Sequence, residues 1–150
     1  MTEVQAGTVM ADPPPEPADK GKTAYESEGE GCIVGNLTKN PEARFTGEGT
    51  ILAVLRVAYT PRVRAEGGNG WVDLPTEYYD VTVWRRQAEY VIESLVAGDR
   101  VVIVGNWQRQ RWTDPNGERK SRLILVATEI GASMLFRQVS IVKPRRGGDK

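Results

Sequence analysis

The stretch Thr76–Gly98, TEYYDVTVWRRQAEYVIESLVAG, changes its hydrophobic period halfway along, and that change restricts the fold more than any other feature of the chain. In the first half, strict alternation places Tyr79, Val81 and Val83 on one face of a strand and Tyr78, Asp80, Thr82 and Trp84 on the other. From Arg86 onward, Ala88, Val91, Ile92, Leu95 and Val96 fall at i, i+3, i+4, i+7 and i+8. That is one apolar stripe of a short helix, stopped by Gly98. A strand therefore feeds straight into a helix. The polar strand face carries two large aromatics among Asp and Thr, with Arg85 and Arg86 at its end. Exposed rings beside fixed cations are what a groove for an unpaired nucleic-acid strand needs.

The other elements follow from turn residues and alternation. Met1–Gly31 has four prolines among seven acids and two lysines, with almost no large apolar residues. Such a segment buries too little surface to offset its chain entropy, so residues 1–31 read as a disordered acidic tail, either a solvating leader or a mimic of nucleic acid. Order is expected from Cys32, with CIVGNL a short strand, then a short extended piece at Ala43–Thr46 between turns. Thr50–Pro61 alternates as a long strand. There Arg56 is an inserted charge on the face of Leu52 and Val54, and it has to meet solvent or a partner.

Arg62–Pro75 is a Gly-rich hairpin arm whose Trp71 is either a stacking ring or a staple at the loop base. Its glycines lack the spacing of a phosphate loop. Arg100–Thr113 is apolar on both faces in its first half, as for a strand covered on two sides. In its second half Trp107, Arg109 and Arg111 share one face, and Asn106, Gln108, Gln110 and Trp112 the other. Asn116-Gly117 marks a hairpin turn, and Lys120–Glu129 is the returning strand. Five strands with one helix between the third and fourth is the order of a five-stranded OB barrel, here with a long hairpin arm.

Composition removes several functions. With no histidine in the chain, Ser-His-Asp triads and imidazole metal sites are excluded. The lone cysteine, Cys32, rules out an internal disulfide; at its strand it reads as packed rather than reactive. No cofactor is expected. Catalysis by metal would need clustered carboxylates, and Asp73, Glu77 and Asp80 are the near candidates; the chain reads as a non-enzyme. No apolar run approaches a membrane span and no signal sequence opens the chain, so a cytoplasmic, nucleoid-associated location is expected, with no membrane partner. The formal net charge of zero divides into −5 over residues 1–31 and +5 over residues 32–150, consistent with a polyanion partner for the second part.

The runs GNLTKNPEARFT, TEYYDVTVW, AEYVIESLVAGDRVVIVG and RWTDPNGERK, in this order and spacing, resemble the bacterial-type single-stranded DNA-binding protein family over roughly residues 31–136. The resemblance implies an OB domain at residues 32–136, a homotetramer, and a role in DNA replication, recombination and repair through sequence-independent binding of single strands. By matching position it assigns stacking to Tyr78, Trp84 and Trp112, and backbone contacts to Arg86 and Arg111. Three departures stand out. Val63 replaces an expected aromatic, which implies either that one stacking platform is missing or that Trp71 stands in for it. Gln108, Gln110 and Ala97 occupy basic positions. The family's acidic C-terminal tip, which recruits replication and repair proteins, is absent from residues 137–150, a basic end closing in RRGGDK. This implies a specialised version with different partners, or a sequence that stops short of the tip.

The expected interface thus comprises Tyr78, Trp84, Trp112 and Trp71 for bases and Arg56, Arg86, Arg109 and Arg111 for phosphates. Packing on a neighbouring subunit is the competing role for Trp84 and Trp112, and Trp107 reads as structural. The alternative function is an OB-type protein-interaction module, or an RNA-binding OB domain, in a replication assembly.

Overall fold

The computed structural model describes residues 23–143, so the expected tail up to residue 22 and the basic end from residue 144 lie outside the described residues. Within them the strands are β1 (Thr23–Leu37), β2 (Glu42–Phe45), β3 (Ile51–Tyr59), β4 (Arg62–Arg64), β5 (Trp71–Asp73), β6 (Glu77–Trp84), β7 (Arg100–Thr113) and β8 (Arg119–Ala132). The helix α1 (Arg85–Ser94) follows β6 without a loop.

Five strands close into a ring. β1, β7, β8, β6 and β3 are hydrogen-bonded in that order, and β1 returns to β3 through Asn36 opposite Ala58 and Leu37 opposite Val57. The pairings are antiparallel except where β6 meets β8, a parallel contact from Asp80–Ile124 to Thr82–Val126. β2 extends the sheet beyond β3, and β4 with β5 forms a separate two-stranded arm. This is the OB barrel and arm expected from the element order.

Alternation fills the interior. Leu55, Val57, Val81, Val83, Val101, Ile103 and Leu125 are fully buried, each worth roughly 1.5–3 kcal/mol of burial. The stripe of α1 joins them through Ala88, Val91 and Leu95. The last turn of that stripe departs from expectation. The helix ends at Ser94, Leu95 is extended, and Val96 is exposed. Its N–H is taken by the Asp99 carboxylate at 2.9 Å, and Gly98, at φ 93°, gives its own N–H to the carbonyl of Leu37. A local cap thus replaces a further helical turn.

Four other expectations need correction. β1 starts at Thr23, nine residues before Cys32, because residues 23–31 pair with β7 almost to its far end, Thr23 opposite Trp112. The outer face of β7 is open: Val101 and Ile103 are buried, but Val102 and Val104 are exposed. Cys32 is exposed as well, since it lies on that outer face. Arg56 does not face solvent but is buried against Asp80, as described below. Trp107 is structural as expected: its ring lies 5.7 Å from that of Tyr79, and a Cβ on Gly31 would sit 2.1 Å from its Nε1. Only glycine lets the indole lie so close to β1.

Candidate nucleic-acid interface

One broad face of the sheet gathers the expected rings. On β6 it carries Tyr78, Asp80, Thr82 and Trp84, opposite Ala58, Arg56, Val54 and Leu52 of β3. On the other side β8 contributes Arg122, Ile124 and Val126, paired with Gln110, Gln108 and Asn106 of β7, and Trp112 continues the row opposite Lys120. At the centre lies a cleft of about 360 Å³, near the lower end of the ~300–1,000 Å³ typical of small-molecule sites. Trp84, Phe45, Leu52, Val54, Ile124 and Val126 give it apolar walls, Asp80, Gln108, Gln110 and Arg122 supply its polar part, and Tyr25 borders it from β1.

Charges in this wall are already engaged. The Arg56 Nη1 donates to Asp80 Oδ1 at 3.0 Å and the Arg122 Nη2 to Asp80 Oδ2 at 2.5 Å. Arg56 is 5% exposed and Arg122 8%. The β3–β6 register sets Arg56 directly opposite Asp80, so the charge expected to need an outside partner finds one twenty-four residues away in its own chain. Its guanidinium also lies 5.1 Å over the ring of Tyr78, a cation–π contact. Arg56 therefore touches both Asp80 and Tyr78 from a buried position.

The remaining expected residues are spread out. Tyr78 is 42% exposed and Trp84 half-buried at the cleft wall. Trp84 is held at the strand-to-helix junction, where Arg85 takes a left-handed φ of 62°, a cost of about 1–2 kcal/mol outside glycine. Trp112 is half-buried on the same face, beyond Gln110. Trp71 is 56% exposed on the arm, with Arg64 5.1 Å over its ring, so it stands out from the arm and does not close its base. Arg86 is exposed just past Trp84; hydrogen bonding with Tyr90 raises its pKa further, leaving a permanent cation. Arg109 and Arg111 project from the reverse side of β7, where Arg109 Nε donates to Glu28 at 3.1 Å and Arg111 Nη1 to Glu26 at 2.6 Å. They are not on the aromatic face.

Phe45, Tyr25 and Arg122 also line the cleft, and nothing in the sequence singles them out. Phe45 is one ring in a four-residue strand, Tyr25 lies in the stretch read as tail, and Arg122 is a single charge interrupting the alternation of β8. Its spacing from Ile124 and Val126 is the one signal that was present.

The carboxylates considered for metal chemistry are separately occupied: Asp80 by two arginines, Asp73 by Arg62 at 2.9 Å, and Glu77 by the Tyr79 hydroxyl. Among the described residues no group of three or more His, Cys, Asp or Glu is placed to hold a metal ion, and no helix is long and apolar enough to cross a membrane.

An OB barrel that sets rings along one open face around an apolar cleft, with the exposed Arg86 at its margin, defines a class, the OB modules that bind unpaired nucleic acid. The model of the Single-strand binding protein family matches residues 30–133, and the chain belongs to that family. It is similar to the single-stranded DNA-binding proteins of Corynebacterium glutamicum, 37% identical over 78% of this chain and 52% of that one, and of Paenarthrobacter aurescens, 34% identical over 79% and 69%. The chain thus spans about half the length of the first of these relatives. Among solved structures, the small single-stranded DNA-binding protein from Streptomyces coelicolor superposes with a TM-score of 0.59 at 27% identity, covering 70% of this chain and 94% of that one.

Proposed function

We propose that this protein binds single-stranded DNA independently of sequence, protecting and organising it during replication, recombination and repair, and that it does so without enzymatic activity. The observation that carries this reading is the shared open face of Tyr78, Trp84 and Trp112 around the apolar cleft. Bases lie on those rings at ~1–3 kcal/mol each, with Phe45 as a further ring beside Trp84. Phosphates meet Arg86 and Lys120 at the margins, and Arg109 and Arg111 where the strand passes over the edge of the β7–β8 hairpin. Trp71 on the arm extends the platform. The exposed apolar row of Cys32, Val102 and Val104 supports a homo-oligomer, with a tetramer the family's usual form.

The test is a titration of oligo-dT followed by tryptophan fluorescence at two salt concentrations. Quenching that weakens with salt, by a slope of roughly −0.7 per phosphate neutralised, is expected, together with far weaker binding of a duplex. Salt-insensitive behaviour with no quenching would replace this reading by a protein-interaction module.

A further inference from the structure

Residues 23–29 of β1 lie before the stretch that matches the family, which opens at residue 30. They are nonetheless built into the sheet. Thr23 to Ser27 pair with Trp112 to Gln108 in unbroken register, and the ladder shifts only at the bulge between Ser27 and Glu30. Alternation turns Glu26 to the reverse face, where it holds Arg111, and leaves Tyr25 on the front. There Tyr25 lines the cleft, directly opposite Gln110 and diagonal to Trp112. Diagonal neighbours on one face stand about 7–8 Å apart, within reach of aromatic side chains.

A polar row crosses the ring of strands and ends in a tyrosine on each side. The Gln110 Nε2 donates to the Tyr25 hydroxyl at 3.3 Å, and Gln110 stands opposite Arg122 in the β7–β8 ladder. Arg122 shares the Asp80 carboxylate with Arg56, which lies over the ring of Tyr78. Gln110, Arg122 and Arg56 are more than nine-tenths buried, whereas Tyr25 is half-buried and Tyr78 exposed. The row is therefore fixed at its centre and presents a ring at either end. A ring tethered through its own hydroxyl has given up rotamer freedom before any ligand arrives, which lowers the cost of laying a base on it. Its phenol offers a flat face rather than a cation, and Trp84, Ile124 and Val126 in the same cleft suit a heterocycle better than a phosphate. Resting on the single-strand reading, we propose that Tyr25 is a further base-stacking residue, and that residues 23–29 thereby belong to the DNA-binding face. Tyr78 is the platform at one end of the row; Tyr25 is its counterpart at the other, between the cleft and Trp112.

The experiment uses the full chain and oligo-dT. Tyr25→Ser should lower the affinity by about tenfold, the loss of one stacked base, with the salt slope unaltered because no phosphate contact goes with it. Tyr25→Phe, which keeps the ring, should recover the larger part of that loss. Oligo-dT carrying iodouracil, irradiated on the unaltered protein, should attach to Tyr25 in peptide maps. Unchanged affinity in Tyr25→Ser overturns the assignment. A gain overturns it too, making residues 23–29 a guard on the site. So does a Tyr25→Phe variant as weak as Tyr25→Ser, since the hydroxyl rather than the ring then matters. Circular dichroism checks the fold of each variant. Should Tyr25→Ser unfold, the crosslink decides, because adducts on Trp84 or Trp112 with none on Tyr25 overturn the assignment without any variant. Binding weakened by Trp84→Ala but not by Tyr25→Ser sinks this inference alone. Failure of the unaltered chain to bind any single strand would overturn the function proposed above, and the role of Tyr25 with it.

Discussion

Two pairs of arginines sit on opposite sides of the same sheet and are treated in opposite ways. Arg56 and Arg122 are sunk into the cleft wall around one carboxylate, whereas Arg109 and Arg111 stand on the reverse of β7, each facing a glutamate of its own. In the first pair the charges have left water and share the Asp80 carboxylate. In the second, partial exposure lets water and salt screen the contact, so the glutamates are replaceable partners. Burial depth, rather than bond length, separates charges that shape the site from charges that a DNA backbone can claim: the Arg111–Glu26 contact, at 2.6 Å, is as short as the buried ones.

The largest expected effect breaks the buried pair. Asp80→Asn removes the carboxylate that two buried guanidinium groups share and should cost about 3–5 kcal/mol of stability, read as a fall in the urea midpoint at unchanged m-value. Glu26→Gln with Glu28→Gln should move that midpoint by no more than about 1 kcal/mol. If the two variants destabilise equally, the distinction drawn here is wrong.

Next in size is Trp84→Ala, which should weaken oligo-dT binding by ~1–3 kcal/mol while leaving the salt slope unaltered, because a stacking ring neutralises no phosphate. Arg111→Gln should do the reverse, flattening the slope by about 0.7. Removing the glutamates sharpens the contrast from the other side: Glu26→Gln with Glu28→Gln should tighten DNA binding at low salt, and the gain should vanish as salt screens the pairs.

The smallest effect lies in alkaline stability. Burial, the hydrogen bond to Glu77 and the negative charge of that carboxylate push the Tyr79 hydroxyl up to about 12 from its ordinary 10.0. Between those values the unfolded chain gives up a proton that the folded one keeps. Stability present below pH 10 is therefore lost as pH rises toward 12. Tyr79→Phe should flatten that part of a stability–pH curve, measured by denaturant unfolding at stepped pH, and leave the region below it unchanged.

Much of this was readable beforehand, and the misses share a cause. The strand-into-helix switch at Trp84 and the ring of five strands follow from local periodicity, and the structure keeps both. The start of β1 was hidden because Glu26, Glu28 and Glu30 read as solvated disorder; two of them are matched by arginines more than eighty positions away, a pairing no local pattern announces. Arg56 misled for the same reason, its partner lying on another strand. Val102 and Val104 were read as covered because apolar residues on both faces cannot say which cover comes from the same chain. Trp84 and Tyr78 stand out in the sequence because their rings break a polar row, while Phe45 and Arg122 break no row long enough to notice.

The parallel contact between β6 and β8 is short, and the cleft straddles it: Asp80 and Thr82 form one lip, Ile124 and Val126 the other. Whatever lies in the cleft therefore clasps the barrel across a short seam. Occupancy and closure become one event, so a loaded protein should breathe less there than an empty one, and amide hydrogens around Val81 and Leu125 would keep the time.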